Sequence, residues 1–133
     1  MVSYQYLASL IGHDAEQVAK QYLLEHSLLF LEQNYKAKVG EIDLIMLDQQ
    51  QLVFVEVKFR STDSHGCAAE HFTLQKRKRL ERTINYYLLQ KKLNAHHTNL
   101  RIDVVAIDGE QVNWIKNVIL DNNKQKNHSM DTT

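Results

Sequence analysis

Cysteine occurs once in this sequence, at Cys67, which excludes an internal disulfide and any zinc site built from several cysteines. Proline is absent altogether, so glycines and short polar clusters have to mark the turns. No stretch approaches the ~20 consecutive apolar residues of a membrane-spanning helix. The opening MVSYQYLASLIGHDAE has neither the basic start nor the clean apolar stretch of a secretory signal. An excess of one charge is missing too: 16 basic residues face 16 acidic ones, whereas strong non-specific nucleic-acid binders are usually basic. These absences predict a protein of the reducing cytoplasm with no membrane partner.

What is present suffices for one domain around one hydrophobic core. That domain is expected over residues 1–120. Residues 121–133, DNNKQKNHSMDTT, offer nothing to pack and predict a disordered tail. The charge balance conceals a local asymmetry. Lys76, Arg77, Lys78, Arg79, Arg82, Lys91 and Lys92 crowd a segment in which Glu81 is the only acid, so one basic face is available for nucleic acid.

Apolar residues at three- and four-residue steps (Leu7, Ile11, Ala15, Val18, Tyr22) predict an amphipathic helix from about Tyr4 to His26. Leu28 to Tyr35 reads as a strand, and Lys36 to Gly40 as a basic turn. Glu41 to Leu47 and Gln51 to Phe59 read as two strands joined by the polar turn Asp48-Gln49-Gln50. The second, LVFVEVKF, is apolar on both faces until its charges intervene, which suits a central strand covered on both sides. Arg60 to His71 reads as a loop. Thr73 is the expected N-cap of a second helix that buries Leu80, Ile84, Tyr87 and Leu88. Leu100 to Ile107 and Val112 to Val118 read as two further strands around an Asp108-Gly109 turn. The order αβββαββ predicts an α/β fold with a mixed central sheet flanked by helices.

Chemistry concentrates at one end of the hairpin. With the turn centred between Gln49 and Gln50, Asp43 faces Glu56 and Glu41 faces Lys58, with Cβ atoms roughly 4.5–5.5 Å apart. Facing carboxylates repel, and a divalent cation removes the penalty, since hard oxygen ligands suit Mg²⁺ or Mn²⁺. The bland alternative is a solvated hairpin end with a Glu41–Lys58 ion pair. An E-x-K triplet alone has little specificity; the facing aspartate on an apolar hairpin is what raises it.

The run GEIDLIMLDQQQLVFVEVKFRS, Gly40 to Ser61, resembles the core of the YraN-type proteins. These small bacterial proteins are similar to archaeal Holliday junction resolvases within the PD-(D/E)xK nuclease superfamily. The resemblance extends to Gly12, Glu16 and Ala19 on the first helix, to Thr73, Lys76 and Leu80 on the second, and to RIDVVAI, Arg101 to Ile107. It implies a restriction-endonuclease-like fold and a Mg²⁺- or Mn²⁺-dependent endonuclease acting on DNA rather than RNA, with branched or structured forms as candidate substrates. By the same likeness Glu16 completes or orders a metal site held by Asp43, Glu56 and the Val57 carbonyl. Lys58 matches the catalytic lysine, and Lys76 a position that contacts substrate. Arg77 and Arg79, in the same basic run, are further candidates for phosphate contact. A homodimer is compatible with the likeness to resolvases, which act on two strands.

Two readings of other classes stand beside this one: a nucleic-acid-binding module that keeps the fold without chemistry, and a protein-interaction domain using the hairpin acids structurally. Elsewhere, His96-His97 reads as surface, Tyr87 as core, Tyr86 as rim and Trp114 as packing. Asp103, an acid within an apolar strand, needs a partner, with Arg101 or Lys58 the candidates. Cys67 has only His65 or His71 as a neighbouring base, a poor basis for a nucleophile.

Overall fold

The computed structural model describes residues 14–60 and 72–118. The first turns expected of the opening helix, the loop with His65, Cys67 and His71, and the tail expected from residue 121 lie outside these residues. Within them the elements are α1 (Ala15–Glu25), β1 (Leu29–Ala37), β2 (Gly40–Asp48), β3 (Gln51–Arg60), α2 (Leu74–Gln90), β4 (Leu100–Asp108) and β5 (Gln111–Ile115). This is the order that periodicity predicts. No helix among the described residues is long and apolar enough to cross a membrane.

The five strands lie in the sheet in chain order. Neighbours are antiparallel except β3 and β4, which run parallel. A parallel pair needs a long crossover, and α2 sits within it. As its double apolarity demands, β3 is the middle strand. Val53 and Val55 turn to one face, where they meet Val18, Ala19 and Leu23 of α1. Phe54 turns to the other, against Leu80, Ile84 and Tyr87 of α2. One helix therefore covers each face. The Thr73 side chain accepts the N–H of Lys76 at 3.3 Å and starts α2 where expected.

The β2–β3 register is the expected one, from Asp48 opposite Gln51 to Leu44 opposite Val55. Two strand ends differ from expectation: β1 runs on to Ala37, so that Lys36 and Ala37 are strand and only Lys38 and Val39 turn into β2, and β5 ends early. β5 stops at Ile115, because Asn117 takes a positive φ of 52° and turns its N–H to the Asp103 carboxylate. β1 is irregular: its register slips between Phe30 and Glu32, and Asn34 has φ of 56°. Such breaks re-aim side chains along an edge strand and blunt it against further pairing.

Asp103 is fully buried and completely answered. Arg101 Nε donates to its carboxylate at 3.0 and 3.2 Å, Trp114 Nε1 at 2.9 Å and the Asn117 N–H at 2.9 Å. Arg101, not Lys58, is the partner. Trp114 does more than pack, since its indole N–H is one of the donors. The guanidinium also reaches Asp48 at 3.0 Å, tying β4 to the tip of the β2–β3 hairpin. Removing one member of a buried ionic network strands the other. Asp103→Ala is therefore expected to lower stability by about 3–5 kcal/mol, read as a fall in the urea midpoint at unchanged m-value.

Candidate active site

Period-two alternation along β3 places Glu56 and Lys58 on the face of Phe54, beneath α2. Beyond the Leu44–Val55 pair the β2–β3 ladder ends. The Val57 N–H is met there by a side chain: it donates to Asp43 Oδ2 at 2.8 Å. That bond holds the Asp43 carboxyl at the mouth of the gap between the strands. Lys58 Nζ lies 3.0 Å from Glu56 Oε2, and each of these side chains is 18% exposed. Lys58 thus pairs with Glu56 rather than Glu41. Once the ladder stops, strict pairing no longer aligns Glu41 with Lys58.

Asp43, only 8% exposed, is the electrostatic anomaly. Burial, then the neighbouring Glu56 charge, push its pKa from the ordinary 3.8 up to about 8. Glu16 adds to the rise, while the Val57 N–H and Lys58 oppose it. At neutral pH and without a cation, Asp43 therefore holds its proton. The ammonium of Lys58, with some burial, lowers the pKa of Lys76, so the two lysines stand close enough to repel.

These groups line one cavity of about 460 Å³. Lys36, Ala37, Gly40 and Glu41 of the β1–β2 hairpin form one wall, Lys76, Arg79 and Leu80 of α2 another, with Asp43, Glu56 and Lys58 between them. Gly40 allows the close approach of hairpin to helix. A Cβ there would lie 2.7 Å from Thr83 Oγ1 and 3.2 Å from Arg79 Cγ, at a φ of 156°. Gly40→Ala is expected to cost roughly 1–3 kcal/mol, measured as a lower thermal midpoint.

Asp43, Glu56, Lys58, Lys76 and Arg79 are gathered as the sequence suggested, and Glu16 lies near enough to act on Asp43. Val57 meets the site through its N–H, which donates to Asp43. Arg77 is not brought there. Its side chain, 13% exposed, pairs with Glu81 at 3.1 Å and donates to the Val118 carbonyl, on another side of the helix. Position 77 is rotated about 100° from position 76, whereas 76, 79 and 80 share a face. Lys36 is the residue that the sequence reading missed; its one signal is its place opposite Glu41 in the β1–β2 register.

Among the described residues no group of three or more His, Cys, Asp or Glu could hold a metal ion. Asp43 and Glu56 remain as two carboxyls of one cavity, close enough to act on each other, and Mg²⁺ is commonly held by only one or two carboxylates with water completing its shell. The raised pKa of Asp43 marks the charge that a cation would offset. The donor set therefore fits a hard divalent ion.

The model of the Uncharacterised protein family UPF0102 matches residues 15–107. The chain belongs to this family. Its relatives include the UPF0102 proteins of Aliivibrio fischeri strain MJ11, 47% identical over 112 residues that cover 83% of this chain and 91% of that one, and of Vibrio campbellii, 49% identical over 111 residues covering 82% and 91%. That of Colwellia psychrerythraea strain 34H is 43% identical over 110 residues, covering 80% and 85%. This is the YraN-type family that the Gly40–Ser61 run resembles. Its matched span includes every residue lining the cavity.

Proposed function

We propose that this chain is a Mg²⁺- or Mn²⁺-dependent endonuclease of PD-(D/E)xK type, with a restriction-endonuclease-like fold, acting on DNA. The observation that carries the reading is the meeting of Asp43, Glu56 and Lys58 in one cavity where Asp43 is a buried acid with a raised pKa. A structural hairpin end has no evident reason to bury an acid beside a second carboxylate, while a metal site does.

Asp43 and Glu56 are the groups that would hold the ion, with Glu16 close enough to reinforce their field. A bound divalent ion supplies a lowered pKa for water and relief of charge building on the phosphate. Lys58, held by Glu56, offers an ammonium to an oxygen of the phosphate as negative charge develops there. Lys76 and Arg79 project from α2 into the same space and attract the DNA backbone. Burial of the acids below these cations keeps the local dielectric low, which strengthens each of these contacts.

The test is incubation of purified protein with linear, nicked and four-way-junction DNA, with and without Mg²⁺ or Mn²⁺. Cleavage that appears only with the ion is expected. Salt-sensitive binding without cleavage on any substrate would instead identify a binding module.

A further inference from the structure

Strand order puts Asp43 of β2 between Lys36 on β1 and Lys58 on β3, and Lys76 of α2 stands beside Lys58. Lys76 and Arg79 come from α2, Lys36 from the far end of β1. None of the three forms an ion pair with a carboxylate among the described residues, although Glu41 lies opposite Lys36 in the strand register. Outside the cavity Arg77 pairs with Glu81, Lys91 with Glu32 and Arg101 with Asp48 and Asp103, whereas exposed residues such as Lys38, Lys78 and Arg82 form no ion pair among the described residues either. What sets Lys36, Lys76 and Arg79 apart is that they line the same cavity as Asp43 and Glu56.

We propose that Lys36 anchors a substrate phosphate on the side of the scissile bond opposite Lys76, so that the site takes an internal phosphodiester flanked by phosphates on both sides. This rests on the nuclease reading above and specifies its substrate class. A strand crossing the cavity meets Lys36, then Asp43, then Lys58 and Lys76 in turn. A terminal phosphate would engage one side and leave the other's charge unmatched. Lys36 suits the role as a hydrated point charge on a flexible stem, which attracts phosphate without demanding one orientation. Being exposed, it can be replaced without disturbing the core. The competing explanation is a solvated lysine that merely keeps an edge strand from pairing.

The test uses the full chain and a defined DNA duplex, with binding followed by fluorescence anisotropy in EDTA so that no chemistry is needed. The salt dependence of affinity counts phosphate contacts, at a slope of about 0.9 per contact. Lys36→Ala is expected to reduce the slope by about one contact and Lys36→Arg to restore it. Lys38→Ala, exposed beside it but outside the cavity lining, leaves the slope unchanged. With Mg²⁺ present, Lys36→Ala raises KM while kcat holds within about twofold, as loss of a uniform binding contact requires. Single methylphosphonate substitutions then locate the contact. The phosphate whose neutralisation weakens wild type but not Lys36→Ala should lie across the cut from the one coupled to Lys76.

An unchanged slope in Lys36→Ala, with wild type still binding and cleaving, overturns the anchor and leaves the nuclease reading intact. Coupling of Lys36 and Lys76 to the same phosphate overturns the two-sided path. Wild type that neither binds nor cuts DNA overturns both readings together.

Discussion

If the proposed reading holds, Lys58→Ala is expected to lower the single-turnover rate of Mg²⁺-dependent DNA cleavage by roughly 10²–10³-fold, with binding of the ion retained. Lys58 Nζ is fixed by Glu56 at 3.0 Å and is 18% exposed, so its charge acts in a partly dry cavity with little reorganisation. Such an ammonium matters most when charge develops on the phosphate, which moves kcat and kcat/KM together rather than KM alone. Lys76 stands close by on α2, but Lys58 is the lysine that Glu56 fixes by an ion pair. Asp43→Ala removes one of two candidate ion ligands and is expected to reduce cleavage to the level of buffer. Activity that survived in both variants would locate the chemistry elsewhere.

The second large effect is on stability. Asp43 has a folded-state pKa of about 8 against an ordinary 3.8. A carboxyl whose pKa is raised by folding contributes stability that is fully present below its unfolded pKa. That contribution is lost progressively as pH climbs through the interval toward the folded value. Stripped of divalent ions, the protein should therefore lose stability between about pH 4 and pH 8 on account of this group. Asp43→Asn keeps an oxygen to accept the Val57 N–H and abolishes the ionisation. At pH 8 in EDTA the variant should exceed wild type by roughly 1–2 kcal/mol, and its urea midpoint should vary less with pH over that window. Adding Mg²⁺ should then raise the thermal midpoint of wild type, because an ion that binds only the folded state stabilises it by mass action. The variant should not respond. A variant less stable than wild type in EDTA at pH 8 would mean that Asp43 is a structural anchor, not an acid held ready for a cation.

How much of this was legible in the sequence depends on the range of the interactions involved. The central position of β3 followed from a strand apolar on both faces, and the register of its hairpin from an even polar turn. Both are local patterns, and both placed Asp43, Glu56 and Lys58 together. The separation of the strands past Leu44 and Val55 was not legible, so the Glu56–Lys58 pairing and the Val57 N–H on Asp43 were not foreseen. The wrong side assigned to Arg77 was avoidable, because helical phase sets it apart from Lys76 and Arg79 and aligns it with Glu81 four residues on. Lys36 was harder. Its aim follows from a strand with a register slip and a positive φ at Asn34, neither of which leaves a mark in hydropathy. The partners of Asp103 divide in the same way: Arg101 lies two residues away on the same strand face, whereas Trp114 arrives only through the pairing of β4 with β5.

The central claim is that two repelling acids, folded against each other, are held ready for a divalent ion. Calorimetric titration of the metal-free protein with Mn²⁺ tests it most directly, comparing wild type with Asp43→Asn and Glu56→Gln. One saturable site per chain in wild type, lost or greatly weakened in each variant, is the expected result. Absence of saturable binding, or binding that both variants retain undiminished, would contradict it.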